Sequence, residues 1–397
     1  QQLIFPSFTW ITYLSFVSQK TKMKILKKSL LTVLSLRIYL HLLSLVSIRF
    51  LSFKPGFPYW ESVLAKLGPR WLWLWGSFDG AHYLAIAKLG YQNTLTQAFF
   101  PVYPLLIKLT NYLTTNPLVS GLLISHLFLI GFIYFFLKLG ELDFKLSSLW
   151  QSLVLLLLFP TSFYLFSVYT ESLFLFLIAA VFYFSRKQKF ILASIFTAIA
   201  TATKFIGIFL VPAILWEYYL VSKKNHKKFL TLLPLGLLSS SGFITYLYFL
   251  KTKFNDALLF IHSQPGFGAG RQVTKLTMFY QVVFRYLKMF FLVDPRSSIY
   301  PVLWLELIIS LIFLSLIIYA WIKKLRASYL IFIIPAFLLP TLTGTFSSMP
   351  RYVLACFPLF YLVSNLKSSK YKLLIFLILF LLQAWAFTRF VSGQWIA

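Results

Sequence analysis

Long apolar segments recur along the whole chain and restrict its fold more than any other feature. Runs of about 18 or more apolar residues have the length of bilayer-spanning helices. In hydrocarbon, only helices and closed barrels satisfy every backbone polar group. The chain is 59% hydrophobic and 12% charged, whereas soluble domains carry about 25% charged residues. The sequence therefore predicts an all-α, polytopic transmembrane protein, with residues 1–397 forming a single domain.

The formal net charge of +28 raises two explanations, binding of nucleic acid and membrane topology. Lysine and arginine fall in short clusters between the apolar runs, at residues 20–28, 186–189, 223–228, 323–326 and 367–372. Such clusters are typical of cytoplasmic loops, where they also attract anionic lipid. We therefore expect membrane lipid as a partner and no nucleic acid.

Placing these basic clusters in the cytoplasm predicts about 11 membrane crossings. Two segments are expected at the outer face: residues 54–116, with interfacial helices, and residues 251–298. Within the second, residues 276–293 are expected to lie along the membrane surface, because a full crossing would upset the charge parity. The predicted spans are 30–51, 118–137, a hairpin between 145 and 186 with its tip at 160–171, a partly re-entrant hairpin between 189 and 223, 229–250, 299–322, 329–346, 353–366 and 373–390.

The N-terminal segment and the single cysteine bear on processing. Residues 1–22 are apolar and precede Met23, so we hypothesise that Met23 begins the natural protein. No small-residue cleavage site follows, which favours an uncleaved anchor over a signal peptide. With Cys356 alone, an internal disulfide and a cysteine metal cluster are excluded.

Asp79 is the main candidate for chemistry, because the chain has only nine acidic residues and a carboxylate at membrane level is costly. Asp79, His82 and Tyr83 have i, i+3, i+4 spacing, so on a helix they would share one face. His82 is either a substrate contact or a residue with a hydrogen bond along the helix. Asp79 is either a proton acceptor or a carboxylate that orders its loop.

The predicted topology brings other rare polar groups to the same outer face as Asp79. Glu171 either binds substrate or forms a structural ion pair with Lys204. Arg351 either binds phosphate or anchors the chain at the interface. The remaining candidates are Lys204, as a phosphate contact, and His262 and Arg271, in a Gly/Pro-rich stretch that either closes over substrate or is an ordinary loop.

Three further polar residues have ordinary structural explanations. Asp256 and Asp294 are predicted to be loop or cap residues. His126, within an apolar run, is predicted to be a satisfied interior histidine.

Four sequence blocks, in order, resemble the PIG-V-type mannosyltransferases, the GPI mannosyltransferase II family and its prokaryotic relatives. The resemblance covers about residues 70–360. Two positions depart from the family pattern: Phe78 replaces the usual Trp, and Lys204 stands where Arg is common, which loses a bidentate grip on phosphate or carboxylate. The blocks are Phe78-Asp79-Gly80-Ala81-His82-Tyr83 with its extension to Leu106, Phe159-Pro160-Thr161-Ser162 with Val168 to Phe174, Ala202 to Gly207, and Pro350-Arg351-Tyr352.

This resemblance implies a glycosyltransferase of GT-C type with inverting chemistry. Such an enzyme moves mannose from a polyprenyl-phosphate donor to an acceptor hydroxyl of a glycan, glycolipid or protein at the outer face of the membrane. Asp79 would then be the general base, and Lys204, Arg351 or Arg271 would stabilise the departing phosphate. The expected site uses no metal and no cofactor beyond the lipid-linked donor.

Two other functions share the many spans. A transporter or flippase of lipid-linked sugars predicts ionisable residues near mid-bilayer and inverted halves, whereas here these residues gather at one face and no repeat is visible. A non-catalytic membrane scaffold is the second alternative.

Overall fold

The structure is a computed structural model that describes residues 7–57, 59–92, 95–222, 230–363 and 369–396. Within these ranges the regular secondary structure is helical and no strand is present, which confirms the all-α prediction. Residues 1–6 of the N-terminal extension, the basic cluster at 223–228 and residues 367 and 368 of the last cluster lie outside the described residues.

The α-helices vary from a single turn to 44 residues. In chain order they are α1 (Ser7–Phe50), α2 (Arg70–Trp73), α3 (Asp79–Leu89), α4 (Val102–Thr114), α5 (Pro117–Gly140), α6 (Leu146–Leu157), α7 (Glu171–Arg186), α8 (Phe190–Thr201), α9 (Leu210–Ser222), α10 (Leu232–Phe254), α11 (Leu259–His262), α12 (Phe279–Leu292), α13 (Tyr300–Ile322), α14 (Ala327–Thr341), α15 (Met349–Tyr352), α16 (Pro358–Val363) and α17 (Ser369–Val391).

Six helical segments of the described chain are long and apolar enough to cross a bilayer, which supports a membrane-embedded protein. Several predicted spans are shorter than the roughly 20 residues that a crossing needs. Within the predicted span 353–366, the described residues 353–363 form the 3-10 helix Val353–Cys356 and α16, and α14 carries Pro335 and Pro340. The six segments are Ile25–Phe50, Pro117–Gly140, Phe205–Ser222, Leu232–Phe254, Tyr300–Ile322 and Tyr371–Val391.

The two segments expected at the outer face consist of short helices and turns. Residues 54–116 contain the π-helix Trp60–Leu64, α2, α3 and α4, with 3-10 turns between them. In the second segment, α12 is not among the segments able to cross a bilayer. The helix has 14 residues, fewer than the roughly 20 that a crossing needs, and the position of residues 276–293 along the membrane surface stays a prediction.

The connection between α6 and α7 is a buried tip that holds distant segments together. Its backbone N–H at Val168 donates to Trp75 O at 2.9 Å, and the Tyr169 hydroxyl donates to Ser77 O at 2.8 Å. The Thr161 hydroxyl donates to Pro350 O at 2.7 Å. The tip therefore fixes the first turn of α7 between two segments. One segment directly precedes α3, and the other contains α15.

Basic and acidic residues of the predicted cytoplasmic loops meet at the other end of α7. Arg186, in its last turn, donates two hydrogen bonds to Asp143 at 2.7 and 2.8 Å. The Arg326 guanidinium pairs with the buried Glu217 carboxylate. Since α7 is about 24 Å long, Glu171 and Arg186 mark two separate ends, as predicted for a hairpin with its tip at residues 160–171.

Close contact between α8 and α10 depends on Gly242. A Cβ at Gly242 would collide with the Ala198 carbonyl oxygen, whereas one at Gly236 on the same helix would meet only the Leu215 side chain, at 3.5 Å. Small residues let helix backbones approach in a membrane.

We predict that Gly242→Ala lowers the free energy of unfolding by about 1–3 kcal/mol, because overpacking forces the two backbones apart. The matched variant Gly236→Ala should leave stability unchanged or slightly improved. Unfolding of the detergent-solubilised variants measures both, and equal stability of the two would contradict this packing.

Candidate functional site

A cavity of about 520 Å³ lies where α3, α7, α15 and the loop before α12 meet. Among the described residues, its lining includes four cationic side chains and two carboxylates. The cavity wall therefore has a net charge of +2. The charged residues of the lining are Asp79, Glu171, Lys204, Arg271, Lys275 and Arg351.

Four of these residues form an ionic quartet: Asp79, Arg351, Glu171 and Lys204. Arg351 Nη1 donates to Asp79 Oδ2 at 2.6 Å, and Arg351 Nε lies 3.5 Å from Glu171 Oε1. Lys204 Nζ donates to the same Glu171 oxygen at 2.8 Å. The quartet is neutral as a unit, which is how buried charges are tolerated in an apolar interior. The predicted Glu171–Lys204 ion pair is therefore present, and it does not occupy Glu171 Oε2.

Three tyrosines enclose the Arg351 guanidinium. Its central carbon lies 5.3 Å from the Tyr164 ring, 5.4 Å from the Tyr169 ring and 5.3 Å from the Tyr352 ring. Tyr164 and Tyr169 belong to the buried hairpin tip. Cation–π attraction and burial together hold Arg351 in one orientation, toward Asp79.

A non-glycine residue with positive φ stands directly before Asp79, and another stands three residues before Arg351. Phe78 has φ 57° and ψ −120°, and Ser348, before α15, has φ 68°. These conformations cost of order 1–3 kcal/mol each and persist only where surrounding packing imposes them. For Phe78 the packing is aromatic, since its ring lies 4.4 Å from Phe57 and 5.5 Å from Trp395.

The electrostatics of the site favour an ionised pair. Burial opposes the charge on Asp79, but Arg351 and its hydrogen bond outweigh burial, so the pKa of the Asp79 carboxyl lies below its usual value. Burial likewise disfavours the Arg351 cation, yet Asp79 and Glu171 raise the pKa of Arg351 well above its usual value. Asp79 is therefore an anion at neutral pH, with one-fifth of its side chain exposed.

Tyr83 lines the cavity, whereas His82 is not among the lining residues. The His82 ring stacks on Phe99 at 4.8 Å. Burial outweighs the opposing effect of the Asp79 carboxylate, so the pKa of His82 lies below its usual value. The i, i+3 spacing from Asp79 therefore does not bring His82 to the cavity wall, because Phe99 occupies the space beside the ring.

The Gly/Pro-rich loop contributes to the cavity through Arg271, Gln264 and Lys275 but not through His262. Instead, His262 Nδ1 lies 2.7 Å from Asp256 Oδ2, and the His262 side chain is half exposed. The prediction that His262 faces substrate alongside Arg271 thus differs from its position here, because the short helix α11 turns the imidazole toward Asp256.

The structural predictions for the other polar residues hold. His126 Nδ1 lies 2.6 Å from Leu122 O. Asp294 accepts from the Arg296 backbone N–H at 2.9 Å, and Asp256 accepts from that of Leu258 at 2.9 Å. Among the described residues, no group of three or more His, Cys, Asp or Glu side chains is arranged to hold a metal ion.

Tyr352 and Lys275 also line the cavity, although the sequence did not single them out as site residues. Burial raises the pKa of the Tyr352 phenol, but Arg271, Arg351 and Lys204 outweigh this and place it below its usual value. The only indication in the sequence that Tyr352 belongs to the site was its place directly after Arg351, in the block Pro350-Arg351-Tyr352. Lys275 carried no pattern of its own.

Comparison with protein-family models, with curated proteins and with solved structures found no match to this chain.

We predict that Arg351→Gln lowers the free energy of unfolding by about 3–5 kcal/mol, since it leaves Asp79 without its partner in a buried setting. Asp79→Asn in the same chain should recover part of this loss, with a coupling energy of about 0.5–3 kcal/mol. Arg296→Gln, at an exposed loop arginine, is the control. Strictly additive effects in unfolding measurements would contradict a direct Asp79–Arg351 pair.

Proposed function

We propose that this protein is a membrane glycosyltransferase that moves a hexosyl unit from a polyprenyl-phosphate donor to an acceptor hydroxyl. The observation that supports this most is the position of Asp79, a partly exposed carboxylate on the wall of a cavity that also contains an excess of cations. Such a cavity provides both a proton acceptor and compensation for a phosphate leaving group.

In the proposed step, the acceptor oxygen attacks the anomeric carbon while the bond from that carbon to the phosphate oxygen breaks. The hydroxyl proton passes to Asp79, and the polyprenyl phosphate leaves with the bonding electrons. Attack from the face opposite the phosphate inverts the configuration. Asp79 uses Oδ2 for Arg351, which leaves Oδ1 to accept the proton. A weakly basic carboxylate suffices because the hydroxyl becomes acidic as the new bond forms.

Glu171 is suited to orient a sugar rather than to accept the proton. Its Oε1 is engaged by Lys204 and lies near Arg351, while its Oε2 has no hydrogen-bond partner among the described residues. A buried acceptor of this kind favours a hydroxyl donor. Tyr83 supplies a second polar group on the same wall.

Part of the remaining lining of the cavity is apolar, which suits the isoprenoid chain of the donor. Ile206, Leu276, Leu339 and Leu342 contribute to it. An isoprenoid chain that excludes water when bound would strengthen the electrostatic contacts to the departing phosphate.

The proposed function also includes a fold type, a number of membrane crossings and a side of the membrane for the cavity. A GT-C-type fold with about 11 crossings, in the plasma membrane of a prokaryote, would place the cavity at the extracytoplasmic face. The sequence resemblance supports mannose as the sugar and a glycan, glycolipid or protein as the acceptor. The basic residues at the opposite end of α7 support the outer location of the cavity.

We predict that Asp79→Asn reduces sugar transfer by about 10²–10⁴-fold, since an amide cannot accept the proton. Release of label from a purified polyprenyl-phosphate [¹⁴C]mannose donor into acceptor measures this, with Asp294→Asn as an exposed control that keeps full activity. Undiminished transfer by folded Asp79→Asn protein would remove Asp79 from the proposed role. Transbilayer movement of the donor without transfer would instead indicate a transporter.

The pH dependence of transfer should depend on Arg351. A general base works only when ionised, so transfer is lost as pH falls through the pKa of Asp79. Since Arg351 lowers that pKa, Arg351→Gln should move the acidic limb of the rate profile to higher pH. Initial rates across a pH series, with Arg296→Gln as control, test this. An acidic limb at the same pH in all three proteins would contradict the assignment.

A further inference from the structure

The cations of the cavity fall into two groups by their partners. Lys204 and Arg351 are compensated within the neutral quartet. Arg271 and Lys275 also line the cavity, but neither forms a salt bridge with a carboxylate among the described residues. Arg271 interacts with Asp79 and with the buried Glu306 only at longer range. The excess positive charge of the cavity therefore resides on the loop before α12, outside the quartet.

Backbone contacts fix Arg271 from both sides. The Gly270 carbonyl accepts from Arg285 Nη1 at 3.3 Å, and the Gln272 N–H donates to Thr343 O at 2.9 Å. The Arg271 N–H itself donates to Gly268 O at 3.2 Å. The loop thus presents Arg271 at a defined place on the cavity wall.

Arg285, on α12, joins the loop to the turn that leads to α15. The same Nη1 that reaches Gly270 O also donates to Gly344 O, at 2.8 Å. Gly270 has φ 63°, and a Cβ there would collide with the Arg285 guanidinium. Glycine is required at this position by both its conformation and the closeness of Arg285.

We infer that Arg271 and Lys275 form an anion subsite for the phosphate of an isoprenoid phosphate ester, and that Arg285 positions it. A guanidinium matches phosphate oxygens in geometry, and an ammonium adds a point charge. Leu276 and Val273 line the cavity beside these cations, so an apolar chain attached to the phosphate has a surface to contact. The ligand class depends on the proposed function, but the subsite is tested by binding alone.

The quartet is the less favourable place for this anion. A phosphate that took Arg351 or Lys204 would leave Asp79 or Glu171 without its cation in a buried position. Breaking a buried pair in this way is strongly unfavourable. Binding at Arg271 and Lys275 leaves the quartet intact.

Binding of farnesyl phosphate to the purified full-length protein in detergent tests the subsite. Arg271→Gln should weaken its affinity about tenfold or more, as expected for loss of a charged hydrogen bond. Arg296→Gln, an exposed arginine outside the cavity lining, should bind like the wild type. Farnesol should bind weakly to all three proteins, and equally.

Two further ligands separate the possible sources of the phosphate. If inorganic phosphate or glycerol 3-phosphate competes with farnesyl phosphate at similar concentrations, the site takes free phosphate and the isoprenoid assignment is overturned. Unchanged affinity of Arg271→Gln for farnesyl phosphate overturns the subsite itself. Normal farnesyl phosphate binding by a protein that transfers no sugar would keep the subsite and reject only the proposed function.

Arg285→Lys distinguishes positioning from charge. Lysine keeps the positive charge, but its side chain is one bond shorter, so its ammonium falls short of the place from which Arg285 Nη1 donates to both Gly270 O and Gly344 O. We expect a several-fold loss of affinity for farnesyl phosphate and an unchanged affinity for farnesol. If Arg285→Lys binds both as the wild type does, Arg285 does not position the subsite.

Discussion

The salt bridge between Asp79 and Arg351 is the interaction on which this end of the protein depends. The two residues are 272 positions apart in sequence, and Arg351 is 93% buried. A guanidinium in such a setting is stable only when a carboxylate is fixed beside it. The hairpin tip provides that fixation, because it hydrogen-bonds to the segments on both sides and supplies Glu171 as the second anion. Packing and electrostatics therefore specify the same arrangement of three distant segments.

The sequence predicted the class of fold and the grouping of charges well. Apolar runs correctly predicted α1, α5, α10, α13 and α17, and the parity of the basic clusters placed Arg186 and Glu171 at opposite ends of the hairpin, where α7 holds them. The number of membrane crossings was harder to predict. The helices α6, α8 and α14 are too short to cross a bilayer, and a hydropathy pattern does not reveal where a proline or a buried tip ends a helix. About 11 crossings therefore stays a prediction beside six long apolar segments.

The candidate site shows where spacing arguments fail. Periodicity indicates that Asp79, His82 and Tyr83 share a helical face, but it does not reveal that Phe99 stacks on His82. The choice of Arg351 as the partner of Asp79 could not be read from the sequence either, since it depends on the three tyrosines around the guanidinium. No sequence pattern pointed to Lys275 as a cavity residue, and Tyr352 was indicated only by its place in the block Pro350-Arg351-Tyr352. What the sequence did supply was the scarcity of carboxylates, which correctly directed attention to Asp79 and Glu171.

A structure of the protein with an inert phosphonate analogue of the lipid-linked sugar is the most direct measurement of the account. We expect the phosphonate beside Arg271 and the sugar between Asp79 and Glu171, with its anomeric carbon open to an acceptor oxygen about 3–3.5 Å away on the Asp79 side. An analogue bound at the Arg186 end of α7, or one whose sugar lies away from Asp79, would contradict it.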